Sequence, residues 1–447
     1  MAGMATVPAP APHPASGTPP AKNKRPLWSY IAVFILFLVQ VLMLFFAENG
    51  EQIAEQWQSP LWVRRVARTT GSFFDSRFAY LPRPTEAHYV ALISISQESE
   101  GTLPDACAVR SFIAGLLLRL AAVGPAMIVN DIAAPGDDAS NVCPASAPAS
   151  LKLIEAIKTV AKTTPLVLGQ ASYTLSELPT QKRTQLEEEG FAETDLLLRK
   201  PLHFDPQPPN VVFGLIRLNQ NVDRVPIVWF GHDTPTSGAR PVPTLGLAAA
   251  KMYRSGFPEG DHRLKELESR LYHPIFELLP ESAFSVVPAI RLMCSSEADK
   301  PDWQNCTPPA QVTPELMNQL HGRIVVIGFS DNPDDQWKTK IGQVPGYVLH
   351  ANDIEVLLDA RAYRPLGFLT TCGLSLVWLL IVELPFGFLD LPIWKAAALV
   401  IGVSLVVLFL AKYVALVNFG LYISPFPPSM LLIAVSAVHL IAKRFKS

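Results

Sequence analysis

A chain of 447 residues that is 49% apolar and only 17% charged, with mean hydropathy +0.24, is too apolar for a soluble protein of two or three domains and reads as an integral membrane protein. Its 37 basic and 39 acidic side chains leave a net charge of −2, so there is no large basic face and nucleic acid is excluded as a partner. The 41 prolines imply long irregular connections rather than one idealised fold.

Residues 1–26 are rich in Pro and Ala, with little to bury, and are expected to form a disordered cytoplasmic tail. Residues 27–46 then supply close to the ~20 apolar residues needed to cross a hydrocarbon core about 30 Å thick. This run exceeds the roughly 7–15 residues of a signal-peptide core, and its exit at Phe45-Phe46-Ala47-Glu48 lacks a small-x-small cleavage pattern. An uncleaved anchor is therefore expected over a cleaved signal peptide.

A polar helical connection over 49–70 leads to HYVALISIS at 88–96, a β-branched run that reads as a buried strand. Pro104-Asp105 can start a helix over 107–122, whose Phe112, Ile113, Leu116, Leu117 and Leu120 share one face. A second buried strand at 126–133 completes a right-handed βαβ unit. The alternation continues with a helix at 149–163 and strands at 165–168, 211–218 and 226–230. Helices follow at 244–255 and, strongly charged, near 261–279. Next come a strand at 283–293, a helix at 313–320 with Thr313 as N-cap, a strand at 323–328 and a helix at 350–361. The fold class is α/β: an external domain over 47–366 with a mostly parallel sheet flanked by helices, plus four transmembrane α-helices.

The other three expected spans are 367–384, 396–417 and 421–442, followed by a cytoplasmic tail at 443–447. Lys22, Lys24 and Arg25 precede the first span, and Lys443, Arg444 and Lys446 follow the last, which places both ends in the cytoplasm. An even number of crossings agrees with that. His439 near the cytoplasmic end of the last span, and Glu383 and Asp390 flanking the short connection after the second, lie near interfaces and read as boundary residues.

Cys107, Cys143, Cys294 and Cys306 all fall in the external segment, where an oxidising compartment permits disulfides. Pairing Cys107 with Cys143 and Cys294 with Cys306 joins nearest neighbours in sequence. Four reduced, buried thiols are the alternative.

Ligands bind open α/β sheets outside the carboxyl ends of the strands. That rule selects Asp131 at the end of the second strand, Ser330, Asp331 and Asp335 after the strand at 323–328, and His350 and Asn352 on the last external helix. A helix N-terminus there could hold an anion, and clustered aspartates could hold a cation such as calcium. Equally, the same residues could cap turns. No GxGxxG, Walker, HExxH, CxxC or nucleophile-elbow spacing occurs, so neither a catalytic residue nor a resident metal or cofactor is expected.

The run Gly322-Arg323-Ile324-Val325-Val326-Ile327-Gly328, with Asp335, Thr339, Gly342, Val344-Pro345-Gly346, His350-Ala351-Asn352 and Leu357-Leu358, resembles the C-terminal signature of the type-2 CHASE sensory domain. Asp131 and Arg110 resemble an acidic and a basic residue of that family. Its aspartates after the first strand are replaced by Ser94 and Ser96, and its tryptophan-proline motif is absent. The resemblance implies a periplasmic or extracellular sensor in a bacterial inner membrane, with one span before the domain and three after it. Such sensors normally continue into a cytoplasmic output domain. Here only Arg444, Phe445, Lys446 and Ser447 follow Lys443, so the signal is expected to pass to a separate membrane or cytoplasmic output protein. Homodimers are the default assembly. A structural subunit of an envelope complex, binding no small molecule, is the competing expectation.

Overall fold

The β-branched runs of the external segment form strands and the 3.6-periodic stretches form helices in the computed structural model of the chain. It describes residues 27–56, 85–96, 103, 105–133, 143–188, 191, 196–218, 227–234, 237–255, 277–295, 312–339, 341–359, 364–365, 391–410 and 421–422, with isolated positions in 373–381 and 435–441. In chain order these begin with α1 (Leu27–Gln56), β1 (Val90–Ile95), α2 (Ala106–Val123), β2 (Met127–Asn130), α3 (Pro148–Val160), β3 (Leu166–Gln170) and β4 (Ser172–Tyr173). There follow α4 (Thr180–Glu188), β5 (Leu196–Leu198), β6 (Val211–Leu215), β7 (Val228–His232), β8 (Arg240–Pro243) and α5 (Leu245–Arg254). The domain closes with β9 (Ser285–Pro288), α6 (Ile290–Met293), α7 (Pro314–Leu320), β10 (Ile324–Phe329), β11 (Gln336–Thr339), β12 (Gly342–Pro345) and α8 (Gly346–Leu358). Beyond it lie β13 (Arg364–Pro365), α9 (Ile393–Leu410) and β14 (Leu421–Tyr422).

Six strands form an all-parallel sheet in the order β6-β3-β2-β10-β1-β9. Alternate residues supply its two faces. Val90, Leu92, Met127, Val129, Val167, Ile324 and Val326 pack under α5 and α8, while Ala91, Ile93, Ile128, Leu166, Leu168, Val325 and Ile327 pack under α2, α3 and α7. Burial on both faces explains why these strands read as continuous apolar runs, and each fully buried aliphatic side chain contributes about 1.5–3 kcal/mol. The expected α/β class, with a mostly parallel sheet between helices, is what forms.

Helix α2 begins at Asp105, whose carboxylate accepts from the Ala108 N–H, and ends at Gly124 with φ 72°. A disulfide joins Cys107 in its first turn to Cys143 ahead of α3. Cys294 is also disulfide-bonded, and Cys306, its expected partner, lies outside the described residues.

Three elements depart from expectation. Residues 226–230 do not extend the parallel sheet; β7 belongs to a separate four-stranded sheet in the order β4-β5-β7-β8, which meets the first at the Leu215–Thr244 bridge. The strand expected over 283–293 stops at Pro288, which has no N–H for a further ladder bond, and continues as the turn α6. The last external helix starts at Gly346 rather than 350. The charged helix expected near 261–279 lies almost wholly outside the described residues.

Among the described residues, the helix that meets the length and hydropathy of a bilayer crossing is α2, and it is a core helix of the α/β domain, with Phe112, Leu116, Leu117 and Leu120 fully buried. The expected span 27–46 falls on α1, which presents Leu27, Ile31, Phe34, Ile35, Leu38 and Leu42 outward. The span expected at 396–417 overlaps α9, and those at 367–384 and 421–442 fall mostly outside the described residues.

Candidate functional site

Helix α8 is the element around which the predicted site residues gather. Each of its residues from Gly346 to Leu358 is buried, so its polar side chains His350, Asn352, Asp353 and Glu355 have no solvent face and must find partners inside. It lies close against β10 because Gly328 has no side chain. A Cβ there would come within 2.1 Å of the Tyr347 Cβ. The Tyr347 hydroxyl donates to the Glu281 carboxylate at 2.6 Å.

His350 sits in the second turn of α8, 1% exposed. Its Nε2 lies 3.1 Å from the Ile216 carbonyl, just past the end of β6, and 3.3 Å from Asp131 Oδ1, just past the end of β2. A carbonyl can only accept, so Nε2 carries the proton and Nδ1 is the acceptor in the neutral ring. Nδ1 faces Asp353 Oδ2 at 3.9 Å, and neither of these buried atoms has a hydrogen-bond partner. Burial lowers the His350 pKa from 6.5 to about 4. Burial likewise pushes Asp353 well above the ordinary carboxylate range, and raises Asp131 with added repulsion from Asp335 and Asp353. The result is a sealed imidazole–carboxyl cluster joining two strand ends to one helix.

Asp335 reaches the N-terminus of α8 from the turn between β10 and β11. Its carboxylate accepts from the Gly346 N–H and, at 3.1 Å, from Trp337 Nε1. Any side chain at Gly346 would collide with it, its Oδ1 lying 2.3 Å from where a Cβ would be. Burial raises the Asp335 pKa, while these two donors pull it down. This helix N-terminus, which could hold an anion, is met by the chain's own Asp335 carboxylate.

The remaining candidates are tied into backbone. Asn352 accepts from the Leu279 N–H at 2.7 Å and donates to the carbonyls of Leu279 at 3.1 Å and Val348 at 2.9 Å, mimicking a strand pair with residue 279. Asp331 accepts from the Ser96 hydroxyl at 2.8 Å, and Ser330 donates to the Ile95 carbonyl at 3.3 Å. Both stitch the end of β10 to the end of β1. Arg110 points to the other side of the sheet, where its guanidinium donates to the Ser150 hydroxyl beside the Cys107–Cys143 bridge. Among the described residues, no three His, Cys, Asp or Glu side chains form a metal-ligating group.

Two members were missed by sequence reasoning. Asp353 completes the His350 cluster, and Glu355, fully buried, accepts from the N–H groups of Tyr89 and Val90 at 2.6 Å each, anchoring the start of β1 to α8. Their signal was present in GYVLHANDIEVLL, where apolar residues cover every face of the helix and leave its charges no route to water.

No curated protein and no solved structure matches the chain. The family model described as the CHASE2 domain matches residues 33–387, a stretch that takes in most of the apolar part of α1, the whole α/β domain with its buried α8, and the apolar segment that follows. The chain belongs to the CHASE2 domain family of sensory domains.

Proposed function

We propose that the chain is a multi-pass sensor or accessory subunit of a bacterial inner membrane. Its CHASE2 domain lies outside the cytoplasm, both termini lie inside, and its membrane helices hand a signal to a separate membrane or cytoplasmic partner. The observation that carries this reading is α8. It is locked to the ends of β2 and β6 through His350, to the start of β1 through Glu355, and it ends only six residues before β13, where the chain enters its next apolar segment.

The membrane part draws support from two contacts. Val33 of α1 and Val435 are the buried residues of an apolar cluster with Leu36, Leu379, Leu391 and Val438. The pairing of Arg364–Pro365 with Leu421–Tyr422 brings together two segments that each precede an apolar run, which suits entry into the bilayer from the same side. The chemistry expected of such a chain is binding and transmission rather than catalysis.

A second reading, an assembly subunit of an envelope complex, is favoured by the packing of the His350 corner, where Asp131, His350 and Asp353 fill the space a ligand would need. In-cell crosslinking of the full chain separates the two. The sensor reading expects one stoichiometric signalling protein whose crosslink yield shifts with His350→Gln. Partners restricted to envelope structural proteins, with yields unaffected by that change, would overturn it.

A further inference from the structure

A cavity of about 460 Å³ opens between the edge of the parallel sheet and the small sheet. That volume lies within the range of small-molecule sites, about 300–1,000 Å³. The ring of Phe213 on β6 and the side chain of Val242 on β8 supply apolar wall. Among the described residues, its cationic lining is Arg199 and Lys200, immediately after β5, and Arg240 on β8, and its acidic lining is Asp233.

The carboxylate is already engaged. Asp233 takes both Nε and Nη2 of Arg240, at 2.7 and 2.9 Å, a bidentate fork that fixes the guanidinium plane and lowers the Asp233 pKa. Lys200 makes no ion pair with any described residue. Gln170, 7% exposed at the end of β3, donates to the Arg199 carbonyl at 2.9 Å and so sets the backbone that carries both cations of the β5 side. Apolar walls beneath a rim that presents the Lys200 ammonium and the oriented Arg240 guanidinium select a ligand with an apolar body and one anionic head.

The cavity also touches the path to the membrane. Val242 and Pro243 run directly into Thr244, which caps α5 by accepting from the Leu247 N–H and bridges to Leu215 of β6. Two residues on, Gly246 meets α8 so closely that a Cβ there would lie 2.7 Å from the Asp353 Cβ. Movement of β8 therefore bears on α8 through one helix.

We infer that this cavity is the stimulus pocket and that it takes a small organic anion, a carboxylate or phosphate carried on an apolar ring. The link to signalling rests on the sensor reading above; the binding does not. Full-length protein in nanodiscs is titrated with phenylacetate, phenyl phosphate and uncharged phenylacetamide, followed by calorimetry and thermal melting. One or both anions should bind and raise Tm, the relative affinity telling carboxylate from phosphate, while the amide should not. Lys200→Gln, an exposed change that breaks no ion pair among the described residues, should weaken anion binding about tenfold, the usual loss for a charged hydrogen bond. Arg240→Gln should weaken it further.

No binding by either anion, equal binding of the amide, or an unchanged Kd in Lys200→Gln would overturn the assignment and make the cavity a seam between two sheets, leaving the sensor reading standing. Anion binding that leaves partner crosslinking unaltered would instead keep the pocket and overturn the sensor reading.

Discussion

His350 is neutral because it is buried, and that has a consequence in pH. Its folded pKa of about 4 lies below the ordinary 6.5, so between those values the unfolded chain takes up a proton that the folded chain refuses. Stability from this group is complete above pH 6.5 and is lost as pH falls towards 4, by up to about 3 kcal/mol for a shift of this size. Asp131 and Asp353 act in the opposite sense. Their raised pKa values mean the folded state protonates first, so their burial penalty is relieved as pH falls. The prediction is comparative: His350→Gln, whose amide can still donate to Ile216, should gain stability relative to the parent by about 3 kcal/mol between pH 7 and pH 4. Parallel stability curves for the two proteins across that range would show that the imidazole is not held neutral. The meeting of Asp131 and His350 was legible from the end of the second strand and the sequence that follows the strand at 323–328. Asp353 and Glu355 were not, since a charged residue inside a helix normally marks the solvated face, and only the burial of all of α8 reverses that inference.

At the scale of elements, the parallel sheet was legible because strands buried on both faces must be continuously apolar, as Val90–Ile95 and Ile324–Phe329 are. The small sheet was hidden. Its β5 has three residues, β4 has two, and β8 reads Arg-Pro-Val-Pro, whose prolines suggest loop although an edge strand tolerates them. The start of α8 was placed late because its cap comes from Asp335, eleven residues upstream, and not from a local Ser, Thr or Asp. The contact of α8 with β10 yields the second prediction. Gly328→Ala would drive a methyl against Tyr347, so α8 must lift from the sheet, at a cost of about 1–3 kcal/mol or more. Gly238→Ala, with open space around the added carbon, should cost far less and serves as the control. Equal melting temperatures for the two variants would mean that the helix is not seated as described.

For the whole molecule, the question is how a domain covalently joined to apolar helices at both ends could move them. Helix α1 precedes the domain in the chain, which leaves it through α8 and β13. Val33 meets Val435, and Leu379 and Leu391 lie in the same cluster, so the helix before the domain packs against segments that follow it. Under the sensor function proposed above, a displacement of α8 would act on segments that pack against α1, and the relative position of these segments would be the quantity a partner reads. Helix α1 also has an exposed apolar side, with Phe34, Leu38 and Leu42. Cysteines placed at Val33 and Val435 should form an intramolecular disulfide on mild oxidation in native membranes, whereas Leu38→Cys paired with Val435→Cys should not, since Leu38 is 44% exposed. Cross-linking of both pairs to the same extent would mean that α1 has no fixed face in the bundle, and a domain movement would then have nothing ordered to act upon. With the ordered face in place, the yield of the Val33–Val435 pair becomes a direct report of the domain's state, and a probe that fills the cationic cavity should change it.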